Sequence, residues 1–430
     1  MIRSFLVLFL LFQMPCVEAQ ITRIQIGESS DTTGEVVMAL AHRFQSYNWM
    51  PKHKFDNYDT SINSPKSVKY SKDGTKFYVQ SLEGYTTSIY DSKSKSLIKT
   101  LIHEFTVAND SLFKDGETTI YNYLYKQNRK QKNVFLGKPV ESCFSHGGKY
   151  LWVTYYRRNF DPIAQSPSAV AIIDTESDII VRVMPTGPLP KMIACSPDNK
   201  RIAITHWGDN TVAIIDIDAD DPFDFSFIKH SVVDYKMSTE FSSSQVNRDA
   251  SCGFCLRGTA YSPDGQFLLV GRMGGGGIAI FDAVNYDYLG TVFGMMSNVR
   301  HLVVKDDYLY ISCNRPGYVQ RCLWRELIKK RLDSQEKKVI YSAFENVYVG
   351  TGTRTIVLTS DGKYLYAAAN SVSKIVAVRT SDMKVVAEIP ADSYPVGMDI
   401  SSDDSELIVT SQGKSNRGGN SVMVFSLTYQ

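Results

Sequence analysis

The sequence predicts an all-β chain, a seven-bladed β-propeller of four-stranded antiparallel blades. Three observations carry that expectation. One short unit, a Ser-x-Asp-Gly type of turn followed by an alternating apolar strand, recurs seven times along the 430 residues. A second turn and a β-branched run follow most copies, and further apolar runs on either side give four strands per repeat. Such a repeat cannot bury both its faces alone, and stacking radially around an axis leaves only short edges exposed.

The unit is clearest at Cys195 to Asp216, CSPDNKRIAITHWGDNTVAIID. Ser196-Pro197-Asp198-Asn199 has turn chemistry, because proline presets φ, Asx side chains cap nearby backbone and Asn tolerates a left-handed conformation. Arg201 to Thr205 alternates as a strand, Gly208-Asp209-Asn210 turns again, and Val212 to Ile215 is a buried-strand run. The seven copies, aligned on Ser196, begin at Ser71, Ser145, Ser196, Ser262, about Val304, Thr359 and Ser401.

In these copies the pattern P-x-G-(I/V)-A-x-S-P-D-G-(K)-x-L-Y-V, followed by V-x-(V/I)-I-D, resembles the YVTN-type seven-bladed propeller repeat. The copies at Ser196 and Ser262 match best, while those at Val304 and Ser401 lack the Pro-Asp-Gly turn. The resemblance covers roughly residues 60 to 430. It implies the fold, and a member of an exported bacterial family, but no particular activity, since propellers host unrelated functions.

In chain order, residues 1–19 read as a secretory signal peptide, with Arg3, an apolar run from Phe5 to Phe12, and a Val17-Glu18-Ala19 cleavage site. The run is too short to span a bilayer, and no later stretch has the roughly 20 apolar residues a membrane helix needs. Cys16 raises a lipidation alternative, against which Pro15 stands. The expected product is exported, to a periplasm, a cell surface or the medium. Residues 20–430 are expected to form one propeller domain. Residues 20–27, QITRIQIG, alternate like a strand, and the seventh repeat ends without an outermost strand; Ile21 to Ile26 is expected to pair with Ser421 to Phe425 and close the ring. Glu35 to Phe44 has helical spacing. Three insertions interrupt the repeat near 105–136, 217–253 and 321–349, the last with a helix-like LWRELIKKRL. Connections of that length are usually functional or mobile.

Composition excludes more than it selects. A formal net charge of +2 leaves no bulk signature of nucleic-acid binding. The 25 tyrosines and 21 phenylalanines suit pleated, half-buried surfaces. Six cysteines follow the leader. Cys143 and Cys195 read as small core residues on inner strands, and Cys252-Gly-Phe-Cys255 as a local disulfide or two free thiols. Leu256 stands where haem attachment needs His, and no second pair sits at zinc spacing. No cofactor or metal motif, nucleophile elbow or phosphate loop is present. Gly274 to Gly277 reads as a turn.

One constellation stands out. Five residues before the aligned Ser come Lys66, Lys191, Arg257 and Arg354, with Arg300 at the nearest position of the fifth copy and Lys138 close by in the second. That position begins the innermost strand, so repeat symmetry brings these cations to one end of the central channel. Strict alternation would aim them at the blade interface, although a long side chain at a strand start can still reach the opening. The turns after the second strands add Arg157, Arg158, His206, Arg272, Arg315 and Arg417. A ring of one sign in a concave mouth favours carboxylate, sulfate or phosphate; the competing reading is a solvated rim paired with Asp209 and nearby acids. The leading function is therefore a non-catalytic, monomeric module binding an anionic small molecule, glycan or protein segment through Lys66, Lys191, His206, Arg257, Arg300 and Arg354. A polysaccharide lyase or lactonase-like hydrolase, with His206 or His301 moving a proton, is the second class, and a pure scaffold is the third.

Overall fold

The computed structural model describes residues 21–114, 117, 133–238, 246–413 and 418–430. The proposed leader and Arg417 lie outside them. Seven sheets of four or five strands surround a central channel, and the order within each runs from the channel outward. The innermost strands are Pro65–Tyr70, Phe135–Ser145, Pro190–Cys195, Leu256–Tyr261, Val299–Lys305, Thr353–Leu358 and Pro395–Ile400, for blades one to seven. Seven clusters of buried apolar side chains each draw on two neighbouring blades. The core is thus a set of blade interfaces, with sheets packed face to face around the axis, which is how an otherwise unstable single sheet buries both faces.

The repeated turn explains the repeated strand start. Ser196 donates its hydroxyl hydrogen to Asp198 at 2.5 Å and accepts from the backbone N–H of Arg201 at 2.9 Å. Ser71 with Asp73, Ser262 with Asp264, Thr359 with Asp361 and Ser401 with Asp403 repeat the contact. The left-handed corner falls on Gly74, Asn199, Gly265, Gly362 and Asp404, residue types that carry least penalty there. The glycines at 274–277 lie between Phe267–Arg272 and Ile278–Asp282, with positive φ at Gly275, Gly276 and Gly277.

The ring is closed by an N-terminal strand, but not by the expected one. Val36–Gln45 pairs antiparallel with Ser421–Tyr429, placing Leu40 opposite Phe425. The spacing of Glu35 to Phe44 was compatible with a helix; the strand wins because Val36, Met38 and Leu40 alternate into the interface of blades six and seven, and the unpaired edge of the last strand needs a partner. Ile21 to Ile26 forms no strand. It crosses the end of blade seven, where Asp392 accepts the Ile24 N–H at 3.1 Å and Ser393 accepts that of Thr22 at 2.8 Å. Arg43 of the closing strand binds Asp56, reaches Asp392 at 3.4 Å and donates to the Ile24 carbonyl at 2.6 Å. This buried network ties the first described residues, the closing strand and blade seven together.

Two of the three insertions also contain blade strands. Ser226–Val232 is the outermost strand of blade three, and Glu345–Tyr348 that of blade five. Lys338–Ile340 adds a parallel fifth strand to blade four. The helix-like run is the helix Trp324–Leu332, with Trp324, Leu327 and Ile328 buried against the interface of blades four and five. Within 105–136, Val107–Leu112 forms a capped 3₁₀ turn, and most of the remainder lies outside the described residues. Among the described residues no helix is long and apolar enough to cross a membrane.

Candidate functional site

Each innermost strand departs from strict alternation near its start. The pairing register slips between Pro65 and Ser67, Pro139 and Ser142, Pro190 and Met192, Leu256 and Thr259, Val299 and His301, Thr353 and Ile356, and Pro395 and Met398. A β-bulge inserts an extra residue and re-aims its side chain. The bulged residues include Lys66, Lys191, Arg257, Arg300 and Arg354, so the deviation falls where alternation would have turned the cations away from the channel.

The five converge. Lys66 lies within electrostatic reach of Arg354, Arg257, Lys191 and Arg300. Lys191, Arg257 and Arg300 are only 8%, 5% and 7% exposed. Burial, and then the charges of its neighbours, pushes Lys66 well below the usual lysine range and Arg354 down to about 10. Burial likewise lowers Lys191 to about 7, with Arg257 and Arg300 adding to the effect and Asp249 opposing it. Burying like charges together is costly unless counter-charges accompany them.

Among the described residues, two carboxylates contact the ring cations. Glu141, on the bulge of blade two, accepts from Arg257 Nη2 at 3.1 Å. Asp249, from the segment joining blades three and four, lies 3.4 Å from Lys191, whose ammonium sits 3.9 Å from the centre of the Tyr156 ring and 5.0 Å from that of Trp207. Lys66 donates to the neutral amide oxygen of Gln412 at 3.0 Å, and Arg300 reaches the Met273 sulfur at 3.5 Å. Nε and Nη1 of Arg354 are buried with no acceptor among the described residues. Further down the channel Lys69 pairs with Asp399 at 3.2 Å. Glu141 was missed in the sequence because the aligned position holds Val140, and only the two-residue bulge brings the next residue round.

The other sequence candidates divide. His206 does not line the opening: it is fully buried in blade three, where Nδ1 meets Thr211 Oγ1 at 2.8 Å, Nε2 meets Thr186 Oγ1 at 2.8 Å, and Nε2 accepts from Gly187 N–H at 3.0 Å. The strand register Pro190 to His206 and the hydroxyl-rich Thr186 and Thr211 make it a clasp between strands. Asp209, fully buried, accepts from Thr211 at 2.7 Å and does not pair with the ring cations. His301 is within reach of Arg257, Arg300 and Lys69; burial and those cations lower it to about 3, and its Nδ1 accepts from the Ile356 N–H at 3.3 Å. Lys138 is held by Glu83 at 2.5 Å, above the Tyr85 ring. Arg158 is buried over Phe135; Arg272 is buried over Phe254 and donates to Thr291 at 3.0 Å. Arg157 donates to the Pro162 carbonyl, and Arg315 is exposed. Cys252 and Cys255 form a disulfide. Cys143 and Cys195 lie on adjacent inner strands, with burial raising both thiols.

No protein-family model and no curated protein sequence matches this chain. Solved structures do. The chain is similar to Kuenenia stuttgartiensis hydrazine synthase at 13% identity and TM-score 0.56, covering 89% of this chain and 99% of the other. A chain of the mitotic checkpoint complex matches at 12% and 0.57, with 99% and 100% covered. The β-propeller domain of Myceliophteria thermophila Cps50 (Swd1) matches at 11% and 0.55, with 85% and 97% covered. Likeness at such identities establishes the propeller fold alone.

Proposed function

We propose that this chain is an exported β-propeller of the YVTN type that acts as a binding module, taking an anionic small molecule, glycan or protein segment at the basic mouth of its central channel. The observation that carries this reading is the ring itself: three buried and two partly buried cations at one bulge register against two carboxylates, with two nitrogens of Arg354 lacking an acceptor among the described residues. Buried polar groups without partners are rare in native proteins and point to an external one. Charge-assisted hydrogen bonds from Lys and Arg to carboxylate, sulfate or phosphate answer that need.

The geometry favours binding over proton abstraction. His206 is locked between Thr186 of blade two and Thr211 of blade three. His301 is too weak a base at about 3 and already accepts a backbone N–H, whereas a useful general base titrates near the working pH. Export rests on the leader-like residues 1–19.

The test is titration with a panel of uronic-acid and sulfated oligosaccharides, followed by calorimetry and by the absorbance of unsaturated products. Saturable binding that weakens between about 50 and about 200 mM salt is expected, because screening shortens the Debye length over that range. Failure of every anion to bind would overturn the reading, and unsaturated products would replace it with a lyase.

A further inference from the structure

The compensation around the ring is lopsided. Arg257 on blade four and Lys191 on blade three each have a carboxylate. Lys66 on blade one, Arg300 on blade five and Arg354 on blade six have no carboxylate in direct contact among the described residues, although Glu141 is within electrostatic reach of all three: one meets an amide, one a thioether, and one no acceptor at Nε or Nη1. Blades six and one flank blade seven, so the uncompensated charge is gathered on one side of the channel. Blade seven itself presents Val396 and Gly397 at the same bulge. A Cβ on Gly397 would come within 2.6 Å of the Lys66 carbonyl oxygen, so close packing of this strand on blade one requires glycine there, and the position aligned with the cations is the uncharged Val396 where five other blades carry a long cation. Glu141, on blade two, contacts Arg257 and is within electrostatic reach of Lys66, Arg300 and Arg354, so it partly offsets their charge and disfavours a second anion.

Resting on the anion-binding reading above, we propose that the ring holds its ligand off the channel axis, against blade seven, by a doubly charged oxyanion group, a phosphate monoester or inorganic phosphate, gripped by Arg354, Arg300 and Lys66. Three cations without carboxylate partners match a dianion better than a monocarboxylate, which would leave two charges uncompensated. The several N–H donors of two guanidinium groups and an ammonium suit the three or four oxygens of a tetrahedral group. Lys66 keeps two N–H donors beyond the one spent on Gln412, and that amide is fixed by its own donation to Ser64 at 2.8 Å.

The experiment titrates the full chain with inorganic phosphate, a sugar phosphate and acetate. It is repeated on Arg354→Met, Lys66→Met, Lys191→Met and the charge-neutral double variant Arg257→Met with Glu141→Gln. The wild type is expected to bind one phosphate group per chain at least about tenfold more tightly than acetate, the scale of one charge-assisted hydrogen bond. Arg354→Met and Lys66→Met should each cost about tenfold or more. Lys191→Met and the double variant, which alter more distant members of the ring, should each cost less than either of these. A sugar phosphate that outbinds inorganic phosphate identifies an ester as the ligand; equal affinities identify the free ion. If phosphate binds but Lys191→Met or the double variant costs as much as Arg354→Met, the off-axis site is wrong while anion binding stands. Acetate binding as tightly as phosphate overturns the dianion. If these ligands and every acidic oligosaccharide fail on the wild type, the anion-binding reading itself falls. Melting temperatures report folding of each variant, and any that fails to fold is replaced by Arg354→Gln or Lys66→Gln, read by the same criteria.

Discussion

Arg257 and Glu141 meet at 3.1 Å although they belong to blades four and two, which are not neighbours. The contact spans the inner face of blade three and draws Glu141 and the ring cations into one electrostatic unit. Glu141→Gln is therefore expected to act in two directions. Arg257 loses its charged acceptor, lowering stability by about 1–3 kcal/mol, while the ring becomes more positive and anion affinity rises several-fold. Denaturant midpoints and titration on the same variant check both. A loss of affinity would show that Glu141 positions Arg257 instead of opposing the ligand.

The pH dependence has opposite signs for folding and for binding. Lys191 is lowered to about 7 from its ordinary 10.5, mainly by burial. It faces Asp249, Arg257, Arg300 and Lys66, with Tyr156 and Trp207 against its ammonium. Between those two values the unfolded chain binds a proton that the folded chain does not, so the contribution of this group to stability rises with pH across the window. An anion favours the charged form, so its binding takes up protons and weakens as pH rises through the same range. Lys66, lowered likewise, adds to both trends. Lys191→Met should flatten both slopes in denaturation and calorimetry from about pH 6.5 to about pH 10; unchanged slopes would contradict the assignment.

Much of the fold was legible because its signals are local. The Ser/Thr-x-Asp turn marks five of the seven inner strands by a hydrogen bond made within five residues, and the divergent copies at Ser145 and Val304 complete the count of blades. The cation register was legible for the same reason. What escaped depends on distant partners. Val36–Gln45 is a strand because the last strand, almost four hundred residues later, needs an edge partner. The outer strands of blades three and five sit inside stretches that break the repeat. Glu141 joins the ring through a bulge that no alternation rule reveals, and His206 leaves it because Thr186 and Thr211 enclose it.

The closure network makes Asp392 the most consequential acid outside the channel. It is fully buried, accepts from Ile24 N–H and from Ser421 Oγ at 2.6 Å, and faces Arg43. Asp392→Ala leaves Arg43 with Asp56 and the Ile24 carbonyl and leaves two donors unmet, a loss of about 1–3 kcal/mol for each buried donor. Urea unfolding with anion titration should show lowered stability and unchanged affinity. A stability change under about 1 kcal/mol would refute the clasp.

The disulfide is expected to matter little. Cys252 and Cys255 are three residues apart, and so short a loop removes little entropy from the unfolded chain, at most about 2 kcal/mol. Reduction should shift the melting temperature by less than about 5 °C in a domain of this size. A fall of tens of degrees by scanning calorimetry would show that the bridge holds more than its own turn.

Parallel measurement of affinity and melting temperature on Arg354→Met tests the central claim most directly. Two nitrogens of this side chain are buried near like charges and unpaired among the described residues, so its removal should cost about tenfold or more in affinity for the anion while leaving the melting temperature unchanged or raised. Anion affinity that is untouched, together with a lowered melting temperature, would mean that the ring cations are structural ties between blades and that the channel is not a binding site.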